Sequence, residues 1–357
     1  MSRKAFEERT RVPAGARLHV PVSAHLQVPA GVRLASDDFG GMIMQLGEPV
    51  GSGIMRTQPI TSSFLAATVD FSCERCPSIA EPPEMAAAQR RWFSINYCAE
   101  GRCEVALPDV GCAVVKAGDC CVSGTDYRPK DFRYPLGSYR GIELWVNTAI
   151  STDPSFSLLA EAGASLDALA QDAGVAAVFS GDEELNGPLR RIGAAISQLH
   201  VQERCVSAEQ RAASTGFISA QCKNELIGLL LTLSQRDMAA SQPAALLTPA
   251  QMNLAQTVAE EVQAAPAEAH DARTIARRYG ISAATLNTWF SNLYGMTVAA
   301  YVRRERMMKA ASLLERGARV ADVAVSVGYA NPSKFAAAFK RERGTSPSDY
   351  RRCNPQS

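Results

Sequence analysis

Histidine is scarce in this chain, with four among 357 residues. His19, His25, His200 and His270 all fall outside the stretches that read as strands, so no histidine-built metal centre can sit in a sheet. A charge excess of one sign is also lacking. Lys and Arg number 37 against 36 Asp and Glu, and a net +1 gives no overall pull toward nucleic acid. No apolar run is long enough to span a bilayer, and the residues after Met1 are polar and basic, so a cytoplasmic protein with no membrane partner is expected. There is no glycine-rich phosphate loop and no nucleophile–base constellation. The expectation is therefore a protein that is not an enzyme, with no catalytic residues, no cofactor and no metal.

What is present is a repeat. One stretch reads Ile275-Ala276, Gly280, Phe290, Gly295, Tyr301, and a second reads Val323-Ala324, Gly328, Phe339, Gly344, Tyr350. Alanine to glycine is four residues in both copies, phenylalanine to glycine five, and glycine to tyrosine six. Each copy predicts a short amphipathic helix, over Arg273 to Tyr279 and Val320 to Val327, whose small inner residue (Ala276 or Ala324) permits a close crossing. Gly280 and Gly328 follow where a left-handed backbone ends a helix, a conformation glycine adopts cheaply. Ser282 then caps one second helix, and Asn331 with Pro332 starts the other. Leu286 with Phe290, and Phe335 with Phe339, are i,i+4 pairs facing the first helix of their unit. This is the layout of a helix-turn-helix, used twice. Tyr301 to Leu314 contains no breaker and reads as one helix joining the copies. Two recognition helices held this way are able to enter successive major grooves, roughly 34 Å apart.

The segment from Thr248 to Arg352 resembles the DNA-binding domain of the AraC/XylS family of bacterial transcription regulators. Tyr301, Arg306, Ala310, Leu313 and Leu314 match the family's linker helix. Val323, Ala324, Gly328, Tyr329, Phe335, Phe339, Gly344, Pro347 and Tyr350 match its second-motif signature. The resemblance implies base reading from the outer face of each recognition helix. On the first, the matching positions are Ala284, Asn287, Thr288 and Ser291. On the second they are Pro332, Ser333, Ala336, Ala337 and Lys340, with Lys334 and Arg341 as flanking cations. Asn287 is the strongest candidate reader, because an amide can contact adenine through both its ends. The second set is mostly small, so it is expected to add affinity while the first carries specificity. Charge agrees: from Thr248 onward there are 15 Lys/Arg and 9 Asp/Glu, against 22 and 27 in the rest of the chain. The implied protein is an effector-responsive activator that binds double-stranded promoter DNA, contacts RNA polymerase and forms a homodimer.

The expected fold class is α+β: a β-rich cupin-like or jelly-roll sensor over residues 1–150, a helical connector over 151–240, and an all-α DNA-binding domain over 248–352. About the first forty residues show little pattern and read as a loose arm or a first strand. Strands are predicted over Leu65–Ser72, Arg91–Cys98, Cys103–Leu107, Cys112–Asp119, Cys120–Ser123 and Arg140–Asn147, with Ala99–Arg102 as a hairpin loop. This layout and the Lys116-Ala-Gly-Asp119 turn resemble the cupin-like sensor common in the same family. The histidine shortage leaves a metal-dependent cupin enzyme without ligands. In the connector, Leu226, Leu229, Leu230 and Leu233 form a helical stripe that suits either core packing or a dimer interface. Thr248, Pro249 and Gln251 read as a capping box opening the last domain. Ten cysteines, seven of them from Cys73 to Cys121, raise a redox or metal-sensing alternative. The Cys73-x-x-Cys76 pair stands alone, and Cys98 and Cys103 are placed opposite each other across the expected hairpin. The simpler reading is that reduced thiols serve as small core hydrophobes.

Overall fold

The computed structural model describes residues 28–37, 39–77, 92–107, 111–124, 132–161, 166–172, 177–202, 208–238, 247–268 and 270–353. The loose arm or first strand expected over about the first forty residues lies largely outside the described residues, within which a strand occupies Val32–Ser36. The chain divides into two compact units, Met1–Leu246 and Leu247–Ser357.

The first unit is built on antiparallel strands β1 (Val32–Ser36), β2 (Met42–Leu46), β3 (Ser52–Thr61), β4 (Phe64–Ser72), β5 (Trp92–Leu107), β6 (Gly111–Lys116), β7 (Asp119–Ser123), β8 (Tyr139–Asn147) and β9 (Ala177–Ser180). They pair in the order β1-β2-β3-β4-β8-β5-β7-β9, and β6 pairs with β5 off this path. Period-two alternation separates two cores. Phe64 and Ala66 of β4, and Ile142, Leu144 and Val146 of β8, join one cluster with residues of the helices. Val69, Phe71 and Tyr139 of the same strands join a second cluster with Val32, Leu34, Met44 and Leu46 from β1 and β2. Adjacent Cys120 and Cys121 fall one in each cluster, as alternation requires.

The hairpin expected at Ala99–Arg102 does not form. β5 runs on through this point, with a register shift between Cys98 and Glu100. Before the bulge, Phe93, Ile95 and Tyr97 face the helix-side cluster; after it, Cys103 and Val105 face the other one. One extra residue reverses the parity of the strand and bends it. Gly101 makes the bend possible at φ 89°, where a Cβ would lie 2.3 Å from the carbonyl oxygen of Ser138. Cys98 and Cys103 are thus neighbours along one strand, not partners across a hairpin.

Short helices α1 (Ser157–Glu161) and α2 (Leu166–Asp172) precede β9, a strand inside the region read as wholly helical. Helices α3 (Glu183–Gln202) and α4 (Ala208–Ser234) follow. Leu226, Leu229, Leu230 and Leu233 of α4 are fully buried in the cluster that also holds Leu185, Leu189, Ile192 and Ile196 of α3 and the outer residues of β8. The stripe is therefore core of this unit, and its reading as a dimer surface is set aside.

The second unit comprises α5 (Pro249–Ala264), α6 (Ala272–Arg278), α7 (Ala283–Tyr294), α8 (Val298–Glu315), α9 (Val320–Ser326), α10 (Pro332–Arg343) and α11 (Pro347–Cys353). The Thr248–Gln251 capping box that opens α5 has both of its reciprocal bonds. No helix among the described residues is long and apolar enough to cross a membrane.

Candidate nucleic-acid interface

The repeat spacing becomes repeated geometry. Gly280 and Gly328 end α6 and α9 at φ 67° and 82°, and Gly295 and Gly344 end α7 and α10 at 73° and 75°. In both turns the residue after the first glycine bonds back to the small alanine: Ile281 N to Ala276 O at 3.1 Å, Tyr329 N to Ala324 O at 2.9 Å. That six-to-one bond satisfies carbonyls the helix end leaves open. Ser282 accepts from the Thr285 N–H, and Asn331 accepts from the N–H groups of Ser333 and Lys334, so both second helices are capped. Phe290 meets Tyr301 edge-on at 5.2 Å and 75°, and Phe339 meets Tyr350 edge-on at 5.3 Å and 75°. The same two aromatic positions therefore set the same packing in each copy.

Helix α8 joins the two helix-turn-helix copies, with Met307, Ala310, Ala311 and Leu314 buried against Val323, Ala324, Phe335 and Phe339. Its Arg306 does more than match a pattern. The guanidinium donates to the carbonyl oxygens of Pro266 (2.7 Å), Ala267 (3.3 Å) and Glu268 (2.9 Å). It also lies 5.8 Å from the centre of the Tyr329 ring. A Cβ on Gly328 would stand 2.5 Å from Ala267 O, so the second turn is pressed against the same loop. Residues 266–268, Arg306 and the Gly328–Tyr329 turn thus form one clamp that ties the entry to the first motif to the turn of the second. Nothing in the sequence pattern pointed to Pro266–Glu268 as its other half, because the contact spans some forty residues.

On the first recognition helix, α7, Ala284 and Thr288 are exposed, while Asn287 and Ser291 are half-buried. Asn287 is held differently from expectation. Its Oδ1 accepts the Val298 N–H at 3.1 Å, which engages the acceptor that a two-ended adenine contact requires. The Thr288 hydroxyl donates to Ala284 O at 3.0 Å and keeps its acceptor lone pairs. On α10, Ser333, Lys334, Ala337, Lys340 and Arg341 are all exposed, with Ser333, Ala337 and Lys340–Arg341 along one face by helical spacing. Pro332 is also exposed, whereas Ala336 is half-buried. Among the described residues no ion pair is made by Lys334, Lys340, Arg341 or Arg343, whereas Arg278 pairs with Glu261 and Arg352 with Asp349.

Of the nine described cysteines, eight are buried or half-buried and Cys353 is exposed. Burial pushes the thiols of Cys76, Cys98, Cys112, Cys121 and Cys222 up to about 12 and that of Cys73 to about 11. Cys103 and Cys120 are also raised by desolvation. No group of three or more Cys, His, Asp or Glu able to hold a metal occurs among the described residues.

Tandem capped helix-turn-helix units on a common helix, with unpaired cations on one recognition helix, define a DNA-binding transcription regulator. A helix-turn-helix domain family model matches residues 275–353. The regulatory protein SoxS of Salmonella typhimurium is 33% identical over 78 residues, 22% of this chain and 73% of SoxS. The probable transcription factor PqrA of Proteus vulgaris is 34% identical over 79 residues, 22% of this chain and 65% of PqrA, just under two thirds of that protein's length. Among solved structures, ToxT from Vibrio cholerae aligns over 83% of this chain and 100% of ToxT, at 10% identity and a TM-score of 0.27. The chain belongs to the AraC/XylS family of transcription regulators.

Proposed function

We propose that this chain is an effector-responsive activator that reads two successive major grooves of promoter DNA with α7 and α10. The repeated Phe–Tyr packing and glycine geometry carry this reading, because they present two recognition helices in equivalent local settings on either side of α8. In it, Ala284, Thr288 and Ser291 approach bases from α7. Ser333 and Ala337 line the groove face of α10, while Lys334, Lys340 and Arg341 contact phosphate. Asn287 acts mainly by holding the start of α8. RNA polymerase is the partner through which activation proceeds, as the family resemblance implies. Chemical protection of promoter DNA by the full-length protein tests the reading. Two protected major grooves one helical turn apart are expected, with binding that weakens as salt rises. Protection of a single groove, or no binding at low salt, overturns it.

The homodimer is assigned to the outer face of α4. Phe217 is 71% exposed there, flanked by exposed Ala213 and Ala220 at helical spacing, on the side opposite the buried leucines. Sedimentation of Phe217→Glu should show a monomer where the unsubstituted chain is a dimer.

A further inference from the structure

The inner face of the first unit's sheet holds a carboxylate that its neighbours leave unanswered. Glu143 of β8 stands between Ala67 of β4 and Asn96 of β5 in register, and Asn96 in turn stands beside Cys121 of β7. Residues paired across antiparallel strands share a face, so these side chains project to the same side as Tyr139, into the cluster away from the helices. Among the described residues no hydrogen bond or ion pair to Glu143 occurs, and desolvation pushes its carboxyl up to about 7. Its side chain is half-buried. Beside it, Asn96 Oδ1 is buried without a hydrogen-bond partner. Two residues along β8, Trp145 lies on the same face and is also half-buried. A buried amide oxygen left without a donor is costly unless something supplies one, and the half-buried carboxylate beside it is a second acceptor.

We propose that this face binds a small organic cation, an ammonium-bearing ligand that pairs with Glu143, donates to Asn96 Oδ1 and lies against Trp145. The proposal rests on the reading of the first unit as an effector sensor and names the chemical class of effector. An aromatic wall beside a carboxylate is the combination that favours an alkylammonium group over a neutral alcohol.

Among the described residues, the titratable groups facing Glu143 are Tyr139 of its own strand, Cys103 of β5, Cys121 of β7, and Cys76 and Tyr134 from the flanking segments; Ala67 and Thr57 of β4 and β3 bring none. Burial raises Cys76 and Cys121 to about 12 and the other three well above their usual values. Glu143 is therefore the member of this group that changes charge near neutrality.

The test is calorimetric titration of the full-length protein with phenethylamine, agmatine and 1,5-diaminopentane, with 2-phenylethanol and phenylacetate as neutral and anionic controls. At least one amine should bind at least about ten-fold more tightly than both controls. Its affinity should fall on lowering the pH from about 8 to about 6, as the carboxyl takes up a proton. Glu143→Gln should abolish the preference for the amine over the alcohol. Equal binding of amine and alcohol, or no amine binding at all, overturns the proposal; the charge series on the unsubstituted protein decides it even if the variant does not fold. Duplex DNA binding is measured on the same preparation. DNA binding without amine binding removes this site alone, whereas amine binding without DNA binding removes the regulator reading and leaves the site.

Discussion

At the scale of single residues, the same side-chain type serves different ends according to what the fold places beside it. Asn287 lies within the first recognition helix and Asn331 caps the second, and both spend their acceptor on backbone N–H groups. Removing the Asn287 bond leaves the Val298 N–H at the start of α8 without that partner. Asn287→Ala should therefore destabilise the second unit by about 1 kcal/mol in denaturant unfolding. Thr288→Ala should fall within about 0.5 kcal/mol of the unsubstituted protein and alter sequence preference instead. If the two substitutions exchange these effects, Asn287 is a base reader after all. Among the cysteines, exposed Cys353 should label with a maleimide before Cys73, Cys76, Cys98, Cys103, Cys112, Cys120, Cys121 and Cys222, as followed by mass spectrometry.

At the scale of elements, the two turns look alike in sequence but carry different loads. Gly280 has open space around it, so an alanine there meets only the penalty of φ 67°, about 1 kcal/mol. At Gly328 the added Cβ would also run into backbone atoms of Ala267 at 2.5 to 3.1 Å, which only movement of the loop relieves. Gly328→Ala should cost about 3 kcal/mol or more and lower DNA affinity with it. Equal melting shifts for the two alanine variants would remove the clamp from the account. Capping, the alanine–glycine spacing and the i,i+4 pairs were legible from sequence because each is settled within a few residues. The loop pressed on Gly328 was not, since it arrives from some sixty positions earlier in the chain.

At the scale of the whole molecule, the buried carboxylate gives the first unit a characteristic response to pH. Glu143 in the folded chain titrates near 7 against an ordinary 4.5. Between these values the folded state holds a proton that the unfolded state has released, so stability falls as pH rises through this window and levels off above about 7. Comparing melting temperatures of the unsubstituted protein and Glu143→Gln isolates the contribution. The glutamine variant should lose this downward slope, and an unchanged slope would mean that Glu143 is not the desolvated group. A ligand that neutralises the carboxylate would raise stability most at the alkaline end.

The sequence by itself determined the second unit: repeat spacing, glycine stops, caps and aromatic pairs are local features, and helices are specified locally. It also determined most strand positions of the first unit through alternation. Only the tertiary structure decided that β5 continues through a bulge, because a strand's register depends on partners far along the chain. The same long-range pairing turned the leucine stripe of α4 into core and set Glu143 beside Asn96. It also gave Arg306 three carbonyl partners on a distant loop. In each case the deciding contact lies outside any window over which composition and periodicity can be read.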